Sequence, residues 1–388
     1  MPPPIWSIPR PRSVPVAASV KRLAALSSLL LSIALLIRAD QRWKLQFNYD
    51  KTDATFNIRD FACPSAQRCI AAGVVIEKNG RGKGTVAISS DGGQHWAEQE
   101  VKEQPLSLDF LNDSIGWMVT DKGVWWTNES GRTWKKLDGL PKKGIVRVHF
   151  LDASHGFAIG FPKVVLETKD AGKSWTKVEE AAKPNTNAEQ TIYDCITFRG
   201  DHGVITGRLM PDEVEIDPAL AGIRRERQNS SIILETQDGG KHWASTTSSI
   251  YGHITQVRLN DDQYAVTLVE YEDTYAIPST LYLIRMGSNT AASAFAEKDR
   301  AVRDVVLLPD GRTILAAVEP PGRSNQVPVP GKLKMLVSSN RKVWLEMDVD
   351  YRAVAQRAIL AAPDAAHVWV ATDTGMILNL VDTSITKK

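Results

Sequence analysis

Seven copies of an apolar strand-turn-strand pattern, and four copies of the phrase Ser/Thr-x-Asp/Glu-x-Gly-x-x-Trp among them, predict an all-β chain. The architecture expected is a seven-bladed β-propeller of four-stranded blades, its ring closed by an N-terminal strand and preceded by an N-terminal hydrophobic helix. A phrase that returns about every 40 residues marks a stack of equal units, none of which buries its apolar face alone.

Taken in order, the chain opens with a Pro-rich basic leader, residues 1–22, carrying Arg10, Arg12, Lys21 and Arg22. Residues 23–38 follow as a signal peptide or signal-anchor helix, in which Leu23 to Ile37 is an uncharged apolar run. The run is short of the ~20 residues of a typical spanning helix. Arg38 interrupts any small-x-small cleavage site, which favours a retained anchor over a cleaved signal. The basic side stays in the cytoplasm, so the remainder is expected outside it: periplasmic or at the cell surface, anchored in the inner membrane. The propeller is assigned to residues 43–388.

Trp43-Lys44-Leu45-Gln46-Phe47 matches the outer strands that begin at the phrase tryptophans, and is expected to pair with the last repeat. Closure of this kind hides sheet edges. The repeats run from Arg59-Asp60-Phe61 to Gly73, Leu108-Asp109-Phe110 to Thr120, and Arg147-Val148-His149-Phe150 to Gly160. The next are Asp194-Cys195-Ile196 to Gly207, Gln256-Val257-Arg258 to Leu268, Arg303-Asp304-Val305 to Ala317, and Arg357-Ala358-Ile359 to Thr372. Apolar runs of this length bounded by Gly, Asn and Asp read as buried strands. A six-bladed ring is the competing count.

The four phrases are Ser89 to Trp96 (Ser89, Asp91, Gly93, Trp96), Thr127 to Trp134 (Thr127, Glu129, Gly131, Trp134), Thr168 to Trp175 (Thr168, Asp170, Gly172, Trp175) and Thr236 to Trp243 (Thr236, Asp238, Gly240, Trp243). Hydroxyl and carboxylate suit the backbone N–H groups of a tight turn, and glycine takes a positive φ. Glu129 departs from Asp, at some cost in turn geometry. Ser338 to Trp344 is a decayed copy without the glycine, and the fifth repeat, near Met286-Gly287-Ser288-Asn289, has no Trp.

At these residues the chain resembles the Asp-box (BNR) β-propellers, which include sialidases, sortilin-type receptors and the photosystem II stability/assembly factor family. The resemblance implies that the boxes are structural turns. An exported seven-repeat plan looks most like the assembly factors. This implies a non-catalytic scaffold that binds a protein partner, a membrane-complex subunit, without cofactor or metal. A sialidase-type glycoside hydrolase is the alternative, with Arg59, Arg147 and Arg303 imitating the carboxylate-binding arginines and Glu270, Tyr271 and Asp60 the remainder. A carbohydrate-binding propeller using Tyr251, Tyr271 and Tyr275 is the other.

Composition fits an ordinary globular chain: 43% hydrophobic and 24% charged, with a formal net charge of +2. The basic residues of the leader leave the propeller slightly acidic, which argues against nucleic-acid binding. A monomer is expected. Cys63 and Cys69 flank the turn Pro64–Arg68 and are expected to form a disulfide in an exported compartment; Cys195 reads as a core residue.

In propeller topology the boxes lie on one face and the long insertions on the other. The insertions are residues 74–84, 209–230, 269–278 and 318–332. The second holds Asp212, Glu213, Glu215, Asp217, Arg224, Arg225, Glu226 and Arg227, with a short helix over Pro218–Gln228. Inner strands begin on the insertion face beside the central channel. There the sequence places Arg59, Asp60, Arg147, Asp194, Arg303, Asp304 and Arg357. The four arginines form a candidate funnel for a carboxylate or other anion. The competing reading pairs them with the three aspartates.

Overall fold

The computed structural model describes residues 41–210, 228–260, 264–271, 276–285, 290–319 and 330–382. The leader, the apolar run 23–38, the charged insertion 211–227 and Met286 to Asn289 lie outside the described residues. Among the described residues no helix is long and apolar enough to cross a membrane.

The strands sort into seven four-stranded antiparallel blades. Blade 1 is built from Ala54–Ala62, Cys69–Glu77, Gly82–Ser89 and Ala97–Glu100. Blade 2 is Pro105–Phe110, Gly116–Thr120, Gly123–Thr127 and Lys135–Lys136. Blade 3 is Ile145–Phe150, Gly156–Gly160, Val164–Thr168 and Thr176–Lys177. Blade 4 is Thr191–Arg199, His202–Leu209, Gln228–Thr236 and Ala244–Tyr251. Blade 5 is His253–Leu259, Tyr264–Glu270, Ser279–Arg285 and Ala291–Phe295. Blade 6 is Ala301–Leu307, Thr313–Val318, Gly331–Ser338 and Leu345–Val349. Blade 7 has Ala358–Ala361, Trp369–Thr372 and Met376–Asp382.

The fourth strand of blade 7 is Gln41–Asn48, which runs antiparallel to Met376–Asp382 in the register Trp43↔Leu380. The closing strand therefore comes from the other end of the chain, as the sequence required. It also touches blade 6, in a short parallel pairing of Arg42 with Asp348 and Trp43 with Val349. The inner strands contact one another in sequence around the ring, blade 7 meeting blade 1. Residues 74–84, expected as an insertion, are regular strand up to Glu77 and from Gly82, turning through Asn79 and Gly80.

The boxes are the turns between third and fourth strands. Ser89 Oγ donates to Asp91 and accepts the Gly93 N–H, while Asp91 accepts the His95 N–H, all at 2.9 Å. Two consecutive residues take positive φ, Gly92 at 70° and Gly93 at 85°, which is why glycine recurs there. These bonds hold the Asp91 and Asp170 carboxyls down at about 2; Asp91 leans chiefly on His95, Asp170 on Ser174. Glu129 is too long for this turn. It takes the Thr133 hydroxyl at 2.6 Å in place of the backbone N–H.

Each box tryptophan then reaches the preceding blade. Trp96 meets Phe47 of the closing strand at 5.6 Å between ring centroids. Trp134 packs on the cluster around Ile70 and Ile88 of blade 1. Trp243 stands edge-on to Phe157 of blade 3 at 5.6 Å, and Trp344 of the decayed box to Phe295 of blade 5 at 5.7 Å. Aromatic pairs in this geometry add to simple area burial. Cys63 and Cys69 are joined in a disulfide across the first hairpin of blade 1, and Cys195 is a buried free thiol.

Candidate functional site: the channel mouth

Every inner strand of blades 1 to 6 carries a β-bulge. The residues skipped by the pairing are Arg59, Leu106, Val146, Asp194, Thr255 and Arg303. In blade 7 the inner strand starts only at Ala358, and the two residues before it are held from Asp373 instead: the Gln356 N–H goes to its carboxylate at 2.9 Å and the Arg357 carbonyl accepts its N–H at 3.1 Å. A bulge re-aims its side chain and is common where a sheet builds a site. It also explains the small residues that the repeats end on. Gly73 and Gly160 face the residue before the bulge, and a Cβ there would collide with the carbonyl oxygens of Asn57 and Gly144.

The bulge divides the seven expected residues into two sets. Arg59, Asp194, Arg303 and Arg357 occupy the bulge position. Asp60, Arg147 and Asp304 occupy the next one, where regular pairing resumes. Arg147 therefore sits one residue off the position of Arg59, Arg303 and Arg357. All four do line one cavity of about 530 Å³ in the channel, together with Asp60 and Asp304.

The inner set stitches blades together. Asp60 accepts the N–H of Phe61 at 2.8 Å and of Leu108, on blade 2, at 2.9 Å. Arg147 lies 3.6 Å from Asp60 and donates to the Asp194 carbonyl of blade 4 at 3.1 Å. Burial works against the Arg147 charge, but Asp60 and Asp194 outweigh it and its pKa is raised. Asp304, 1% exposed, accepts from Val305 at 2.7 Å, Leu360 of blade 7 at 2.9 Å and Arg258 at 3.2 Å. Burial pushes the Asp304 carboxyl up, against the pull of Arg258.

The bulge set is differently placed. Asp194 is held by Arg208 at 3.0 Å, and burial raises its pKa. Arg303 is paired with Glu270. Arg59 donates only weakly, to the Pro105 carbonyl at 3.3 Å and Gln104 at 3.4 Å. Arg357 is exposed and makes no ion pair among the described residues. Burial lowers the Arg59 pKa; Asp121 pulls it back, and the neighbouring positive charge of Arg357 lowers it further. The two guanidiniums line one cavity, and Asp121, the carboxylate that acts on Arg59, makes no ion pair with it and accepts the Gln104 N–H instead, an arrangement that suits an incoming anion.

Sequence reasoning passed over Arg258 and the pair His149–Asp109, which are 3.1 Å apart in the channel wall. The alignment of Arg258 with His149 in the repeats carried the signal. Tyr271, which the hydrolase alternative would use, is 8% exposed in the core, its hydroxyl 3.1 Å from that of Tyr282. Glu270 is occupied by Arg303 and Asp60 by backbone N–H groups. Of the proposed sugar-stacking tyrosines, Tyr251 and Tyr271 pack on the blade 4–5 core, and Tyr275 lies outside the described residues.

Residues 127–211 match the family described as Photosynthesis system II assembly factor YCF48. The Photosystem II assembly lipoprotein Ycf48 of Synechococcus sp. (strain CC9902) is 24% identical over 169 residues, 38% of this chain and 50% of that protein. Vacuolar protein sorting/targeting protein 10 of Verticillium alfalfae is 25% identical over 114 residues, 28% of this chain and 8% of that protein. The chain spans about half the length of the Ycf48 relatives it matches. Among solved structures, one described as YCF48 bound to D1 peptide superposes with a TM-score of 0.58 at 15% identity, covering 87% of this chain and 96% of that one. YCF48 from Cyanidioschyzon merolae gives 0.54 at 13% identity, covering 88% and 98%. At such identities the structural likeness speaks for the fold alone. In repeat, ring and closure, this chain is an Asp-box (BNR) repeat β-propeller that resembles the Ycf48 assembly factors.

Proposed function

We propose that this protein is a non-catalytic binding scaffold whose channel mouth grips an anionic group of a protein partner. By that contact it assists the assembly or stability of a membrane protein complex. The observation that carries the reading is that Arg59 and Arg357 line one cavity at the channel mouth and neither makes an ion pair among the described residues. Bidentate recognition of a carboxylate is the task guanidinium performs best. The likeness to Ycf48 supports a protein partner, since one such structure is described as bound to D1 peptide. The proposal includes an extracytoplasmic location, with residues 23–38 as the membrane anchor and the propeller as a monomer.

The test uses tagged full-length protein and solubilised membranes of the native host. Wild type is compared with Arg59→Ala/Arg357→Ala, which spares Arg147 and its bonds between blades. Capture of a membrane-complex subunit by wild type, lost in the variant at an unchanged melting temperature, is the expected result. Equal capture by both removes the mouth from the function, and no specific partner for either removes the scaffold reading.

A further inference from the structure

Among the described residues of blades 4 to 6, Arg208 is paired with Asp194, Arg258 with Asp304, Arg303 with Glu270, and Lys334 with Glu319 and Glu346, while Lys332 is exposed without an ion pair. On blades 1 to 3 Arg147 is likewise paired with Asp60 and Lys136 with Glu103, but a row of cations from blade 7 to blade 3 stays outside such pairs. Arg357, Arg59, Lys122, Lys142 and Lys143 make no ion pair among the described residues, and the lysines are exposed.

Hydrogen bonds tie Arg59 to the loops of blade 2. Arg59 donates to Gln104 and Pro105, where the chain enters the inner strand of blade 2. Gln104 exchanges two bonds with Asp121, its N–H going to the carboxylate at 2.9 Å and its carbonyl accepting the Asp121 N–H at 3.0 Å. Lys122 is the next residue, at the tip of the hairpin between Gly116–Thr120 and Gly123–Thr127. Lys142 and Lys143 end the link into blade 3, just before its inner strand starts at Ile145. The acids on these same loops are Glu103, Asp121 and Asp138. Glu103 is taken by Lys136 at 2.7 Å, and Asp121 caps Gln104.

We propose that the partner segment is an extended acidic peptide with several carboxylates. It places one at Arg59–Arg357 and lays the others along the blade 2 loops toward Lys122, Lys142 and Lys143. The cations outside ion pairs, Lys122, Lys142 and Lys143, set the direction in which the segment leaves the channel. Like-signed clusters of this kind steer an oppositely charged ligand and favour it over neutral ones.

This inference rests on the mouth being the binding site, and the test separates the two. Full-length protein in detergent is titrated, by fluorescence anisotropy at low salt, with two labelled peptides of equal length. One carries a single terminal carboxylate on a neutral sequence; the other carries three additional glutamates. The acidic peptide is expected to bind more tightly. Lys122→Ala/Lys142→Ala/Lys143→Ala should weaken it about tenfold, from three exposed charge pairs of modest strength, and leave the neutral peptide unchanged. Arg59→Ala/Arg357→Ala should weaken both peptides. If both peptides bind alike and ignore the lysine substitutions while still losing affinity in the arginine variant, the acidic arc is overturned and the mouth stands. If the arginine variant binds both as wild type does, the mouth and the arc that starts from it are both overturned.

Discussion

Asp304→Ala is the substitution from which the structure predicts the largest loss of stability at the channel. The carboxylate is 1% exposed and serves three donors: Val305 N–H, Leu360 N–H of the next blade, and Arg258. Alanine relieves the desolvation that raises the Asp304 pKa. It leaves three donors facing a gap, each costing about 1–3 kcal/mol if unsatisfied. Removing one partner of a buried ion pair costs about 3–5 kcal/mol overall, and we take that range. Entropy of unfolding near 2.1 cal/mol/K per residue over roughly 340 residues gives about 0.7 kcal/mol/K, so the melting temperature should fall by about 4–7 °C. Differential scanning calorimetry measures this, with the exposed Asp113→Ala as a control expected to stay within about 1 °C. An Asp304→Ala melting temperature within 1 °C of wild type would refute the argument that this carboxylate ties blade 6 to blade 7.

Three further outcomes follow from the same geometry. Burial lowers the His149 pKa and Asp109 more than restores it, so the net shift is upward. A raised pKa stabilises below the ordinary histidine value near 6.5 and loses that contribution as pH rises through the folded value. The stability gap between wild type and His149→Gln should therefore be larger at pH 6 than at pH 9, as read from melting temperatures; a pH-independent gap contradicts the pairing with Asp109. Glu129→Asp should restore the missing bond to the Thr133 backbone and raise stability by about 0.5–1.5 kcal/mol, the net worth of one hydrogen bond; a lower melting temperature would count against the turn argument. Opening the Cys63–Cys69 bridge by Cys→Ser at both positions should cost about 2 kcal/mol, the loop-closure value for so short a loop, and melting under non-reducing conditions reads it directly.

The lysine arc, if it binds as proposed, places the partner on the insertion face and leaves the box face to structure. The boxes support that division. Their carboxylates are consumed by the turn itself, as Asp91 is by His95 and Ser89, and their tryptophans by the preceding blade. A site needs groups whose bonding capacity is unfinished, and on the described part of the mouth those are Arg59, Arg357 and the exposed lysines.

The amino-acid sequence by itself determined the blade, the count and the closure. Box hydroxyls, carboxylates and positive-φ glycines act within a few residues, so Ser89 to Trp96 announces its turn without its neighbours. The strand repeat is equally local, and the outer-strand likeness of Trp43 to Phe47 was enough to send the N-terminal strand to blade 7. The hairpin disulfide belongs to the same class, its cysteines six apart in the chain. What only the tertiary structure decided is which arginines stay outside ion pairs. Arg258 finds Asp304 across 46 residues, and Asp304 reaches Leu360 across 56. A bulge moves Arg147 one position away from Arg59, so that one becomes a tie between blades and the other a wall of the mouth. Charge neutralisation is a matter of distance in space, and a side chain's partner in a closed ring comes from a blade whose place the local sequence does not encode.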